Sequence, residues 1–230
     1  MPKFHTYTLW LFFLVCAMGC HEIFSPDIEG RVLDTYSPAD SLFSAVGEVS
    51  FWWEDDGDVE AYALEVTRGP SGNRLLMVDT LLAVNSISYL FEEEDLYTWQ
   101  VRGENAGSDS EWSGGTFYLD LTPPEKALAL SFEDDTLGAG LSGTLTWSSL
   151  DLPLAGQRFP TTDSLRIYRR NDSLTLGARY FFDESAPREF DLSPTSPLPF
   201  NGPGTYHWQV ISFDRAGNRS SSDLFRITLL

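Results

Sequence analysis

The side chains that could do chemistry in this chain of 230 residues are few, so their types and spacing can be weighed one at a time. Of three histidines, His5 and His21 sit near the N-terminus and only His207 lies deep in the chain. A Ser–His–acid relay needs an imidazole within hydrogen-bond reach of a nucleophile, and His207 is expected mid-strand on a solvated face. The two cysteines, Cys16 and Cys20, offer no Cys/His spacing of the kind zinc asks for. No glycine-rich phosphate loop and no nucleophile elbow is present. No catalytic residue and no cofactor is therefore expected. Carboxylates are abundant, and three runs could offer hard oxygen ligands to Ca²⁺: Glu54 to Asp58, Glu92 to Asp95 and Glu133 to Asp135. None has the ligand spacing of a calcium loop, and each falls where a solvated turn is expected. Asp55, Asp56 and Asp58 are the best of them, because Gly57 permits a tight turn, yet no metal is assigned. Paired carboxylates for glycoside hydrolysis have nothing positive in their favour.

Aromatic side chains are the other candidates for contact with a ligand. Trp52 and Trp53 are adjacent, so in a regular strand they face opposite sides. Trp53 or Phe51 is expected in the core, which leaves Trp52 as a possible ligand contact. Trp112 is expected to pack into the core near a last strand.

The elements that must position these residues read as strands. Val49 to Phe51, Tyr62 to Val66, Tyr97 to Val101 and Phe117 to Leu119 alternate apolar and polar residues, as half-buried strands do. Aromatics make up 14% of the chain, which suits pleated surfaces, and no window sustains a helical period. Leu75 to Val84 is expected to be a pair of strands broken at Asp79-Thr80. An internal repeat runs through the pattern. Tyr97, Trp99 and Val101 recur as Tyr206, Trp208 and Val210, and the turn Glu104 to Gly107 recurs as Asp214 to Gly217. Upstream, Val49 and Phe51 pair with Leu145 and Trp147. Thr122-Pro123-Pro124 lies between the copies, and its prolines block continued strand pairing.

These motifs resemble the fibronectin type III domain, a seven-stranded sandwich of the immunoglobulin-like class. Leu145-Thr146-Trp147 resembles its second strand, with Phe51 to Trp53 in that place in the first copy. Tyr97 and Tyr206 resemble the tyrosine that opens its sixth strand. The resemblance implies an all-β chain of two tandem β-sandwiches, over 30–121 and 127–230, joined by a Pro-rich linker at 122–126. Two inserts, Asp151 to Asp163 and Pro187 to Gly204, depart from it.

The N-terminus reads as an export signal. Lys3 precedes an apolar stretch from Leu9 to Ala17, too short to cross a bilayer as a helix of about 20 residues but of signal-peptide length. Ala17-Met18-Gly19-Cys20 resembles the lipobox of bacterial lipoproteins. That resemblance implies a signal peptide over 1–19, a lipid thioether on Cys20, and a tether over 20–29. His21, rather than Asp, resembles lipoproteins forwarded to the outer membrane. Several acyl chains, each buried methylene worth about 0.8 kcal/mol, would hold such a chain firmly.

Formal net charge is −19, which repels nucleic acid and anionic headgroups. The membrane is therefore expected as a partner only through the lipid. The expectation is a non-enzymatic cell-envelope lipoprotein, a spacer or interaction module for a protein or glycan. The alternatives are a carbohydrate-binding accessory lipoprotein in glycan uptake, which needs an exposed aromatic pair on one face, and a small hydrolase on a sandwich scaffold.

Overall fold

The computed structural model describes residues 25–138, 143–151, 159–170, 174–192 and 202–230. The signal peptide and Cys20 lie outside the described residues, as do parts of both inserts. Among the described residues every regular element is a strand, and no helix is long and apolar enough to cross a membrane. The chain divides into two compact units, whose main segments are Glu48–Tyr118 and Leu119–Leu230.

The first unit carries β1 (Thr35–Ser37), β2 (Leu42–Ser44), β3 (Glu48–Trp53), β4 (Ala61–Arg68), β5 (Leu75–Leu82), β6 (Ser86–Leu90), β7 (Asp95–Glu104) and β8 (Ser113–Leu119). One sheet has the order β1-β3-β6 and the other β2-β8-β7-β4-β5. The second unit carries β9 (Leu128–Ala129), β10 (Asp134–Leu137), β11 (Thr144–Ser148), β12 (Thr162–Arg170), β13 (Leu174–Phe182), β14 (Glu189–Asp191), β15 (Gly204–Phe213), β16 (Arg219–Ser221) and β17 (Phe225–Leu229). Its sheets run β9-β11-β14 and β10-β17-β15-β12-β13, with β16 added to β15. Strand for strand the two orders are the same. Both units are fibronectin type III-like β-sandwiches.

Register explains the sequence repeat. In β7, Tyr97, Trp99 and Val101 all point inward, and in β15 Tyr206, Trp208 and Val210 do the same. Alternation puts every second side chain on the core face, and each apolar ring so buried contributes at about 25 cal/mol per Å² removed from water. Each tyrosine turns its hydroxyl back onto the chain four residues earlier: Tyr97 Oη donates to Glu93 O at 2.6 Å and Tyr206 Oη to Gly202 O at 2.9 Å. Such a tyrosine corner ties the chain's entry to the long central strand.

Several expectations are corrected. Leu75–Leu82 is one strand, β5, paired along its length with β4; Asp79 sits in it opposite Glu65 instead of in a turn. Isolated polar residues do not break a strand whose outer face meets water. His207 is buried, not solvated. It stands between Tyr168 of β12 and Arg226 of β17, on a central strand flanked on both sides. Trp112 is exposed instead of packed in the core, and its ring lies under the Arg102 guanidinium. Packing also begins earlier than the tether reading: Ile28 is fully buried and its N–H donates to Ser108 Oγ at 2.9 Å.

Two of the edge strands, β5 and β13, share one trait. Leu75, Leu76 and Leu81 on the first and Leu174, Leu176 and Phe181 on the second are exposed.

Candidate functional site

The outer face of β1-β3-β6 carries two exposed aromatics of the first unit, Trp52 and Tyr36. In β3, burial alternates so that Val49, Phe51 and Trp53 face the core while Ser50 and Trp52 face out. Phe51 and Trp53 share the core face by parity, so Trp52 is the one turned to solvent, at 51% exposure. A shift of register between Thr35 and Ser37 on β1 brings Tyr36 beside it. The two rings lie 4.7 Å apart between centroids, tilted by 49°, and Tyr36 is 49% exposed. Next to them, Ser50 and Ser88 share a hydroxyl hydrogen bond of 2.8 Å, and Ser37 Oγ donates to Ser50 O. Two flat apolar rings beside a row of hydroxyls form an amphipathic platform. Sequence parity located Trp52; Tyr36 gave no signal, because its place depends on the β1 register shift.

A second feature of this unit is a shallow open pocket of about 240 Å³ lined by Thr98, Gln100, Trp112 and the Ser113–Thr116 backbone. Arg102 lies over the Trp112 ring, its guanidinium carbon 4.9 Å from the centroid, a cation–π contact. Gly114 permits the floor: a Cβ there would come within 2.0 Å of Trp99 O.

The acidic run singled out for calcium is engaged within the protein. Arg31 Nη1 reaches Asp56 Oδ2 at 3.0 Å and Asp58 Oδ2 at 2.9 Å. Tyr62 Oη donates to Asp55 Oδ1 at 3.1 Å and accepts the Asp56 N–H. The Asp58 backbone N–H, and then Arg31, hold the Asp56 carboxyl below its usual range against its partial desolvation. Burial pushes the Tyr62 hydroxyl up.

A different trio of carboxylates comes together in the second unit. Asp120 directly follows β8, Asp151 follows β11, and Asp214 opens the turn after β15. One oxygen from each lies within 4.8 Å of the others, and the residues are 2%, 2% and 8% exposed. At separations of 31 and 63 positions in the chain, no spacing rule could have joined them. Their burial also disqualifies them as a glycosidase pair, whose carboxylates must flank a bound sugar.

A third polar cluster lies in the core of this unit. Asp163 is buried, and its Oδ2 accepts Trp147 Nε1 at 2.8 Å, Ser149 Oγ at 2.7 Å and the Arg188 guanidinium at 2.9 Å. Arg188 spends its remaining donors on the backbone oxygens of Asp183, Ala186 and Thr161. Nε, Nη1 and Nη2 of Arg188 all find acceptors, which makes this a structural clamp: burying a carboxylate with such a partner is tolerable only when its hydrogen bonds are well satisfied.

No family model matches the chain, and no curated protein sequence does. Among solved structures, the fibronectin(III)-like modules of Clostridium thermocellum CbhA are similar at 11% identity and a TM-score of 0.47, with 86% of this chain and 93% of that chain covered. The FN1–FN3 domains of chicken CNTN1 are similar at 13% identity and a TM-score of 0.40, over 89% of this chain and 65% of that one. Three N-terminal domains of the outer capsid protein Hoc of bacteriophage RB49 follow at 11% and 0.45, over 86% and 69%. These likenesses are loose; strand order and register carry the fold assignment.

Proposed function

We propose that this chain is a non-enzymatic cell-envelope lipoprotein, held to the outer membrane through a lipid on Cys20, whose first sandwich presents the Trp52–Tyr36 face to a glycan. The observation that carries the glycan contact is the exposed pair itself. Two half-exposed rings lie 4.7 Å apart on a sheet face open to water, and apolar rings clustered where they forgo burial suit a contact surface. Sugars present a flat C–H face for the rings and hydroxyls for Ser50 and Ser88. The net charge of −19 favours neutral or basic glycans over anionic ones. The membrane part of the reading rests on the lipobox-like Ala17 to Cys20.

Two experiments test it. Retardation of the protein in gels cast with soluble polysaccharides should be seen for at least one neutral glycan. Trp52→Ala should abolish it while moving the unfolding midpoint by no more than about 0.5 kcal/mol, as at other surface sites. If the glycan panel retards parent and variant alike, the face is not the contact. For the anchor, intact mass and membrane fractionation of the protein with its own N-terminus should show acyl mass on Cys20 that Cys20→Ala loses together with membrane attachment.

A further inference from the structure

Within the Asp120–Asp151–Asp214 trio, it is Asp214 that lacks a partner for one of its oxygens. Asp214 Oδ1 accepts the Asn218 backbone N–H at 2.8 Å, but its Oδ2 is buried and accepts no hydrogen bond among the described residues. An ionised carboxylate oxygen buried without a partner is costly, and two more carboxylates within 4.8 Å raise that cost by repulsion. The first unit shows the contrast. Register places Asn105 where the second unit has Asp214: Gly103 stands opposite Tyr62 and Ser212 opposite Asp163, and each turn residue follows two positions later. Asn105 Oδ1 accepts the Ser108 N–H in the same turn role, while its amide donates to Pro26 O at 2.8 Å and Asp58 O at 3.0 Å. Where the first unit puts an N–H₂ donor, the second puts a carboxylate close to two others.

From this geometry we infer that the trio is a calcium site. A cation supplies the positive charge that the amide supplies in the first unit. The spread suits Ca²⁺: ligand distances of about 2.3–2.6 Å allow ligand oxygens to sit up to about 5 Å apart, whereas the roughly 2.1 Å distances of Mg²⁺ need a tighter octahedron. The absence of sulfur and imidazole in the trio argues against zinc. Bound Ca²⁺ fixes the segment after β8, the loop after β11 and the turn after β15 to one another within the second unit. This site is independent of the glycan face and of the lipid.

The test is thermal unfolding and calorimetric titration of the whole exported chain with Ca²⁺ alone, after EDTA treatment, alongside Asp214→Asn. The parent should bind Ca²⁺ in the affinity range of extracellular modules, about 0.1–1 mM, and its Tm should rise saturably by at least about 4 °C at excess Ca²⁺. Asp214→Asn keeps the acceptor for Asn218 and removes one charge from the trio. Its Tm in EDTA should therefore equal or exceed that of the parent, and its response to Ca²⁺ should vanish. Asp151→Asn, read the same way, serves should the first variant fail to fold. Absence of any Ca²⁺ response in the parent, or a response of equal size in the folded variants, overturns the assignment.

Discussion

The two sandwiches use one strand order and opposite chemistry at the same end of the core. In the first, Trp53 packs on Tyr62 with ring centroids 5.6 Å apart, and the contact is aromatic. In the second, the corresponding positions are Ser149 and Asp163, and an Arg188-centred hydrogen-bond set replaces the rings. The indoles follow suit. Trp53 Nε1 and Trp99 Nε1 are buried without a partner among the described residues, whereas Trp147 Nε1 reaches Asp163 and Trp208 Nε1 reaches Phe132 O at 2.9 Å. A sandwich frame therefore fixes where a side chain points, not what must be there. Either a dry aromatic plug or a complete polar set closes the end; a half-complete set would not.

The contrast can be broken most forcefully at Asp163. Asp163→Ala strands a partly buried guanidinium and a buried indole N–H, and should cost the second unit about 3 kcal/mol in denaturant unfolding. Trp53→Ala should cost the first unit a similar 3–5 kcal/mol by leaving a cavity. The two differ in what rescues them: replacing Asp163, Arg188 and Ser149 together by Leu, Met and Ala should restore stability or exceed the parent's, and no polar substitution should rescue the first unit. A rescue that fails would show the ionic set to be more than a plug. Smaller and equal effects are expected at the shared corner, where Tyr97→Phe and Tyr206→Phe each lose one hydrogen bond, about 0.5–1.5 kcal/mol by the same unfolding assay. Unequal losses would mean that the corner has different weight in the two copies.

The smallest effect is on pH. The Thr116 backbone N–H lowers Asp40, the Asp58 backbone N–H lowers Asp56, the Ser185 hydroxyl lowers Asp183, and Arg215 lowers Glu184. Folded pKa values below those of the unfolded chain mean stability that is complete above the unfolded values, near 3.8 for Asp and 4.5 for Glu. It is lost as pH falls through the folded values. Both units should therefore hold a flat midpoint from neutral pH to about 5 and weaken together below about 4. A loss of stability confined to one unit would separate their surface charges.

Much of this was legible in the chain. Period-two alternation at Val49–Trp53 and Tyr97–Val101 located central strands, and the recurrence at Leu145 and Tyr206 revealed the second copy. Parity alone put Trp52 outward. Other features depend on non-local pairing, which alternation does not encode. Tyr36 reaches Trp52 through an irregular edge, His207 is flanked by neighbouring strands, and the Asp120, Asp151 and Asp214 carboxylates meet only after the sandwich has closed. Charge runs such as Asp55–Asp58 drew attention by density, while the acids that matter to packing, Asp163 above all, stand singly among apolar neighbours.

The leucine-bearing edges have a bearing on how such chains behave when crowded. β5 and β13 each expose a row of unpaired backbone groups beside apolar side chains, a template on which a further strand could add. Each row also carries one charge near its middle, Asp79 on β5 and Arg179 on β13. Each of these stands opposite a residue of its own sign on the neighbouring strand, Glu65 and Arg166. That like-charge pairing weakens the fold locally, and it also sets charge against charge whenever two copies present the same edge. A row that could seed endless sheet growth is thus made a poor partner for its own twin, so that the greasy border carries its own guard against self-pairing.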